Sequence, residues 1–528
     1  MMCPKALGRG AFLSHASLPG TGADSPLAQV TRRAPGFAAP RTGGGVAGGG
    51  RMLARMPSMR RLLAVQAHLE TTAATPEPAA ATTELADLTL DDFMAMDKDR
   101  ALLGKTFDIP TRREQAALRK QWIEERVTNI LPGLMDEVGV EYWVLSMKEY
   151  GEDTAWRAMT PSETVAARRR SCIVYRRTAG GVEKETFVAK SDPALGWEGL
   201  FEEQVKPHLE EGGGRIAINV DAVFAFADGM HAGEKEAFVR GVGPEVMERV
   251  VSERLLPIYF LMLRAPTMNA TPELPTVHGS ALPTGSGHHY TNAVELSHSI
   301  IVEAMSAAVI TPGSTTCADV SWWMWEKAVS LGFDCWFQPS FGVQRAGAEG
   351  TLADDTVIER GDFLWTDFGI DYAGLHTDMQ HMGYVLHIGE SGPPAGLLQG
   401  LAVTNRMQDM ILEEMQLGRT GNEVLASFKS RMEGEGIDGT MYSHPIGDHG
   451  HAAGPLVGLA DLDNRPVPVR GDVGVLRAEM WYAVELCARS YVEEWGQTVL
   501  FRQEENGILT ETGNHFALYR QEGFHLVV

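Results

Sequence analysis

The sequence predicts two folded domains in series: an α/β domain over residues 90–265 and, over residues 291–528, a second domain whose later part is built of strands. Three observations carry that reading. Short apolar runs alternate with helix-length amphipathic stretches between residues 110 and 265, as strands do with intervening helices. After residue 360 the apolar runs are joined by Gly- and Asp-containing turns and interrupted by single acids. Between the two parts, residues 266–290 are rich in Pro, Thr, Gly and Ser, which marks a linker or an extended flap. At 528 residues, 44% of them hydrophobic, the chain can fill more than one core.

Residues 1–89 are a different kind of sequence. The first seventy positions hold nine Lys or Arg (Lys5, Arg9, Arg32, Arg33, Arg41, Arg51, Arg55, Arg60, Arg61) against Asp24 and Glu70, among Gly- and Ala-rich runs. An Arg-rich, acid-poor stretch has the composition of a transit peptide, so the expectation is an intracellular protein of the mitochondrion or plastid. A basic disordered tail on a cytoplasmic protein is the alternative. After Pro110, Thr111 and Glu114 form a capping-box pattern, and a helix is predicted from there to about Val138. Glu141–Leu145, Ser171–Tyr175 and Arg215–Val220 read as strands. Beyond the linker, helices are predicted over Val294–Val309 and from Asp319, as N-cap, to Gly332. Trp322, Trp323 and Trp325 on the second are expected to pack inward, against a core or a domain interface.

Four carboxylates and an imidazole stand out along the last third: Asp367, Asp378, His444, Glu485 and Glu504. Asp362–Gly369 and His376–Leu386 read as two strands of a hairpin around Asp371–Gly374, and a turn at Tyr372–Ala373 places Asp367 directly opposite Asp378. Like charges facing each other are destabilising unless a cation lies between them or a pKa rises. A solvated hairpin with two surface acids is the plain alternative. His444, His449 and His451 crowd one glycine-containing segment, which suggests backbone held close to a site. Glu485 sits in an otherwise apolar strand, where an unpaired charge is costly, and Glu504 follows a possible partner, Arg502. Such a donor set suits a pair of hard divalent cations.

Taken in order, these residues resemble one family. Asp367/Gly369, Asp378, His444/Ile446/Gly447/His451, Met480/Glu485, Arg502/Glu504 and Leu509/Thr510/Gly513 follow the series of the pita-bread metallopeptidases, which include methionine aminopeptidase, aminopeptidase P, prolidase and creatinase. The resemblance covers roughly residues 290–528 and implies an α+β pita-bread catalytic domain. It implies that Asp367 binds one ion, His444 and Glu485 the other, and that Asp378 and Glu504 bridge the two around a hydroxide. Manganese is the first expectation, with cobalt, zinc or iron able to replace it. Glu485 is expected to shuttle a proton, His451 to contact substrate, and Arg502 to orient the acidic ligands. The implied activity is that of an Xaa-Pro aminopeptidase or dipeptidase acting on a small peptide. The α/β domain resembles the N-terminal domain of creatinase, aminopeptidase P and prolidase, which implies a homodimer.

Departures bear on the substrate. Family peptidases carry a histidine some seventeen residues before the first aspartate, whereas here no histidine lies between His298 and His376. Gln344 or Arg345 is the expected replacement donor, with His449 another residue near the substrate. The family's arginine three residues after the second aspartate is His381. A non-peptide metal-dependent hydrolase or lyase on the same fold therefore stands as an alternative. A catalytically inactive interaction protein also stands, although such proteins lose ligands and all five are present.

Charge and cysteine usage exclude other classes. The first seventy residues carry a surplus of seven positive charges, so the remainder stands at −30 within a whole-chain charge of −23. So acidic a body argues against nucleic acid or anionic membranes as partners. No run of eighteen apolar residues predicts a membrane span. Cys172, Cys317, Cys335 and Cys487 form no Cys-x-x-Cys pair and are expected to be reduced core residues.

Overall fold

The computed structural model describes residues 88–189, 197, 199–264, 268 and 289–528. The transit-type segment and the 266–290 linker fall almost wholly outside the described residues. None of the described helices is long and apolar enough to cross a membrane. The four cysteines named above are free thiols.

Helix α1 spans Leu90–Met96 and is followed by α2, Arg112–Asn129, whose capping box is formed as the sequence predicts: Glu114 N donates to Thr111 Oγ1, and Thr111 N to Glu114 Oε2. The helix expected to run on to Val138 is two helices. Ile130 separates α2 from α3, Leu131–Val138, which carries proline in its first turn and ends on Gly139 at φ 67°. Pro132 lacks the N–H that a continuous helix would need and is tolerated only at a helix start.

Strands β1 (Tyr142–Lys148), β2 (Arg170–Thr178), β3 (Gly181–Val188), β4 (Ile216–Ile218) and β5 (Val250–Ser252) form one sheet in the order β3-β2-β1-β4-β5. β1 is parallel to β4 and antiparallel to β2. Helices α4 (Lys206–Glu210), α5 (Ala232–Met247) and α6 (Leu255–Met262) complete this part. Alternate residues of β1 enter different cores: Trp143, Leu145 and Met147 pack with α3 and α6, Tyr142 and Val144 with α4 and α5. Both faces are covered, which is why the strand reads as a continuous apolar run.

The remainder holds helices α7 (His289–Ala304), α8 (Cys317–Ser330), α9 (Ala395–Glu414) and α10 (Gly421–Gly434). Its strands are β6 (Asp334–Cys335), β7 (Ser340–Gln344), β8 (Phe363–Phe368), β9 (Ile370–Tyr372), β10 (Leu375–His376), β11 (Met379–Val385), β12 (Gly439–Ile446), β13 (Val457–Gly458), β14 (Trp481–Val492), β15 (Gln497–Ile508), β16 (His515–Phe516) and β17 (His525–Val527). The large sheet runs β13-β12-β14-β15-β11-β8-β7, with β16 on β15 and β17 parallel to β11. Helix α9 packs on β14 and β15, α8 on β7, and α7 on α8 and β8.

The α8 N-cap is Thr316, and Asp319, expected as the cap, is the third residue of the helix and completes the capping box. Of the three tryptophans on α8, Trp323 packs against the core, but Trp322 is 54% exposed and stacks on Trp325 at 5.7 Å. Helical spacing puts positions three apart on one face, here the outer one, so inward packing fails for Trp322.

A buried ionic contact ties the first part to the second. Asp448 lies 2.9 Å from Arg126 Nη1 and 2.9 Å from Arg264 Nη1, and Arg264 Nη2 donates to the Ile446 carbonyl at 2.9 Å. The Arg264 guanidinium occupies the space that a Cβ at Gly447 would need, so the 446–451 segment can lie there only with glycine at that position.

Candidate metal centre

The β8–β11 register differs from the expected one. Asp367 faces Gln380, and Met379 faces Phe368. The turn falls at Ala373–Gly374, one residue later than expected, with φ of 55° and 86°, and Asp371 Oδ1 accepts from Gly374 N at 2.7 Å. Two successive left-handed residues make the turn type whose twist suits a two-residue hairpin, and a glycine at the second position favours it. The shift moves the partner of Asp367 by two residues. Because side chains alternate along a strand, Asp378 keeps the same face and becomes a diagonal neighbour.

On that face the side chains line up across four strands. Asp367 on β8 faces Gln380 on β11, Gln380 faces Glu504 on β15, and Glu504 faces Glu485 on β14. His444 joins from β12, the next strand over. Its Nε2 lies 3.4 Å from Asp378 Oδ2, 3.6 Å from Glu504 Oε1 and 3.9 Å from Glu485 Oε2. Donor atoms of Asp367, Asp378 and Glu504 form one group within 4.8 Å of each other, and those of His444, Glu485 and Glu504 a second. The five residues singled out in the sequence are thus brought together.

Burial dominates the electrostatics. It pushes the carboxyls of Asp367 and Glu485 well above the usual range, with the neighbouring carboxylates adding to it. For Asp378 burial outweighs the attraction of His444, and Glu504, buried beside Asp378, is raised to about 7. His444 is lifted to about 9 despite desolvation, by Asp378 and Glu504. Asp367 Oδ1, Asp378 Oδ1, His444 Nε2 and Glu504 Oε1 are buried without a hydrogen-bond partner among the described residues. Buried polar atoms are normally satisfied, so four converging atoms without partners describe a donor set shaped for cations. His444 Nδ1 lies 3.0 Å from the Pro445 carbonyl, which fixes the ring with Nε2 as the free donor atom.

The other expected site residues divide. His451 stands at the exposed rim, edge-on to His444 at 4.6 Å and to Trp336 at 5.1 Å, and desolvation of the ring together with His444 lowers its pKa to about 3. His449 is nearby, parallel to His376 at 6.5 Å and edge-on to Phe226 at 4.9 Å. Gln344 and Arg345 do not supply the missing substrate donor. The Gln344 amide bridges to Leu500, donating to its carbonyl at 2.7 Å and accepting from its N–H at 2.9 Å, while Arg345 grips Asp362 through two bonds of 2.6 and 2.7 Å. Both are occupied in holding strands and loops together. Arg502 also departs from expectation. Its guanidinium lies 4.9 Å over the Trp365 ring and donates to Thr351 Oγ1, with no carboxylate partner among the described residues.

Four contributors were missed. Gln380 Nε2 donates to Glu504 Oε2 at 2.9 Å and to Glu485 Oε1, and its Oε1 accepts from Trp365 Nε1 at 2.8 Å. Asn506 donates to the Asp378 carbonyl and accepts from Asp378 N at 3.3 Å, while the Tyr290 hydroxyl lies 3.0 Å from Asn506 Oδ1. Trp336 donates to the Thr377 carbonyl at 2.8 Å. Gln380 and Asn506 each lie two residues beyond a candidate ligand, so strand alternation alone could have found them.

A sheet that gathers four carboxylates and one imidazole around unsatisfied donor atoms is a candidate metal-binding site. Residues 288–511 match metallopeptidase family M24 and form a domain of that family, with the pita-bread fold. The structure also aligns with X-Pro aminopeptidase from Thermotoga maritima, at TM-score 0.50 and 14% identity over 74% of this chain and 99% of that one. It aligns with Xaa-Pro dipeptidase from Bacillus anthracis at TM-score 0.50 and 18% identity, over 78% of this chain and 100% of that one. A histidine-to-alanine variant of Escherichia coli aminopeptidase P gives TM-score 0.50 and 13% identity, over 76% and 96%. At these identities the likeness is one of fold. Among curated proteins none matches the sequence.

Proposed function

We propose that this protein is a metal-dependent hydrolase of Xaa-Pro peptides, an aminopeptidase or a dipeptidase. The observation that carries the reading is the convergence of Asp367, Asp378, His444, Glu485 and Glu504, with four donor atoms that have no partner among the described residues. These five side chains would hold two divalent ions, manganese first, with cobalt, zinc or iron as substitutes. When bound, such ions supply an acidified water and polarise the scissile carbonyl. Gln380 orients Glu485 by donating to Oε1, which leaves Glu485 Oε2 to carry a proton towards the leaving nitrogen. His451, neutral at the rim, presents an N–H to the substrate carbonyl oxygen. Trp336, edge-on to His376 at 6.1 Å and to His451, walls this side and limits water.

One observation favours a second reading, a non-peptide metal-dependent hydrolase or lyase: Gln344 and Arg345 are both engaged elsewhere, so the family's upstream histidine has no replacement in them. Retention of all five ligands speaks against an inactive interaction protein. The deciding experiment is an assay of the manganese-loaded chain on Xaa-Pro dipeptides, longer Xaa-Pro peptides and non-proline controls. Cleavage confined to Xaa-Pro bonds is expected, and substrate length separates dipeptidase from aminopeptidase action. Failure to cleave any of these peptides would overturn the peptidase reading in favour of the second. We also read the α/β part as a homodimer-forming element and residues 1–89 as an organellar leader, which size-exclusion chromatography and imaging of a tagged chain would test.

A further inference from the structure

The strands that carry the candidate ligands are buried along most of their length, and the gaps in that burial share one face. β12 is buried at every residue except Tyr442, and β8 at every residue except Trp365 and Asp367. On β14, Glu485 and Cys487 are only partly buried between buried neighbours, and on β15 Arg502 is the partly buried residue nearest Glu504. Side chains alternate along a strand, so these six lie on the face of the candidate ligands and mark where it opens to solvent.

Tyr442 is the member of this set with no role so far. It precedes His444 by two residues and so shares its face. β12 pairs with β14 through Met441–Leu486 and His444–Ala483, a register that sets Tyr442 opposite Glu485. The ladder skips that position: Ser443 Oγ accepts from Glu485 N at 3.1 Å, and Tyr442 pairs outward with Gly458 on β13. Neighbouring strands lie about 4.8 Å apart, and a phenol reaches further from its strand than a glutamate carboxylate does. Burial raises the pKa of the phenol, and Glu485 heads the charges acting on it, ahead of Cys487, Arg502 and Glu504, which puts the ring on this face beside Glu485.

The hydroxyl has no hydrogen-bond partner among the described residues. Its oxygen is also not one of the sealed, partnerless atoms, so a ligand can reach it. A tyrosine is protonated at neutral pH and has one O–H to give. Glu485 is the side chain assigned above to the leaving nitrogen, so its neighbour faces the residue that follows the scissile bond. In an Xaa-Pro dipeptide that residue ends in a carboxylate, in a longer peptide in a carbonyl, and both accept a hydrogen bond. Arg502 is the other donor on this face, but it stacks on Trp365, donates to Thr351 Oγ1 at 3.2 Å and stands opposite Cys487, one row further from the ligands.

We propose, resting on the peptidase reading above, that the Tyr442 hydroxyl donates to the carboxylate or carbonyl oxygen of the residue after the scissile bond. It thereby supplies from β12 the substrate donor that Gln344 and Arg345 do not. The contact is made in ground state and transition state alike, so it acts on KM more than on kcat.

The test compares alanyl-proline with alanyl-pyrrolidide, which lacks the carboxylate, on the manganese-loaded parent and on Tyr442→Phe. Because the hydroxyl has no partner in the protein, the variant should fold, hold the same ions and melt with the parent. The parent should favour alanyl-proline by about tenfold in KM, and Tyr442→Phe should erase that preference by weakening alanyl-proline alone. A merely structural tyrosine would weaken both compounds together. Calorimetric binding of the same pair needs no turnover. If neither compound is cleaved, the peptidase reading falls, while a binding preference that disappears in Tyr442→Phe still upholds the contact. A parent without the preference overturns the proposal, as does a preference that survives in Tyr442→Phe, the result expected if Arg502 were the donor. Cleavage of alanyl-proline alongside either result would leave the peptidase reading in place.

Discussion

Around the β11–β15 pair, Gln380 and Glu504, with Asp378 just before β11, point to one face of the sheet and His381 and Glu505 to the other. The two faces use the same residue types to opposite ends. On the acid face, carboxylates stand against carboxylates, their pKa values rise, and four donor atoms have no partner among the described residues. On the histidine face, each carboxylate meets imidazoles, and Asp99 and Glu505 stay below the usual range despite burial because His298 and His381 attract their charges. The first arrangement sacrifices stability for a donor set that only cations complete. The second sets opposite charges against each other to hold the segment after α1 and strand β17 to the sheet. Side-chain removal should therefore read out as activity on one face and as stability on the other.

The largest expected effect tests the acid face. Glu504→Ala removes a side chain shared by both donor groups, and the turnover of the manganese-loaded enzyme should fall by about 10⁴-fold, with loss of bound ions. The metal-free variant should melt no lower than the metal-free parent, because a desolvated carboxylate has been removed from a crowd of like charges. Turnover within tenfold of the parent would contradict the site.

Next comes the histidine face. His298→Leu leaves Glu505 Oε2 without its donor and removes an imidazolium held between two carboxylates. A cost of about 3–5 kcal/mol is expected in denaturant unfolding, with turnover per folded molecule changed less than about twofold. A variant as stable as the parent would mean the network contributes nothing to holding α7 against the sheet.

The two faces should also differ in pH response. In metal-free protein Glu504 has a folded pKa of about 7 and His444 of about 9, both above their ordinary 4.5 and 6.5. The native state then holds more protons than the unfolded chain across that window, so this stabilisation is complete below about pH 4.5 and is lost as pH rises towards 9. The melting temperature in chelator should fall from pH 5 to 9, and saturating manganese should remove most of the slope. A rise over that range in chelator would contradict the assignment.

How much of this was legible in the sequence follows the range of the interactions. Strands, capping boxes and the five candidate ligands are local patterns, and they were readable because period-two alternation and turn residues lie within a few positions of each other. The β8–β11 register differs from the expected one because the Asp371–Gly374 stretch allows the turn at either of two positions, and the left-handed pair Ala373–Gly374 decides it. Gln344 and Arg345 are expected near substrate from their place upstream of Asp367, where the family's histidine is absent. Their partners, Asp362 and Leu500, are set by the three-dimensional pairing of β7 with its surroundings. The histidine face was invisible because its members span residues 97 to 525 and no local spacing relates them.

The smallest effect compares two glutamines on opposite faces. Gln380 donates to Glu485 and Glu504, and Trp365 donates to it, so it fixes the direction of two candidate ligands. Gln521 on the histidine side takes the Met382 N–H at 2.9 Å, gives an N–H to the Met382 carbonyl at 2.7 Å, and offers its own backbone N–H to Glu505. Methionine has nearly the same volume as glutamine and no amide, so each Gln→Met change deletes the hydrogen bonds and keeps the packing. Gln380→Met should lower kcat by about tenfold with ion content retained and stability nearly unchanged, since each carboxylate freed is one that ions already neutralise. Gln521→Met should do the reverse, costing about 1–3 kcal/mol because the Met382 backbone groups are left buried and unpaired, with kcat untouched. If both variants lost activity, or both lost only stability, the two faces would be one coupled unit and the division of labour between them would be wrong.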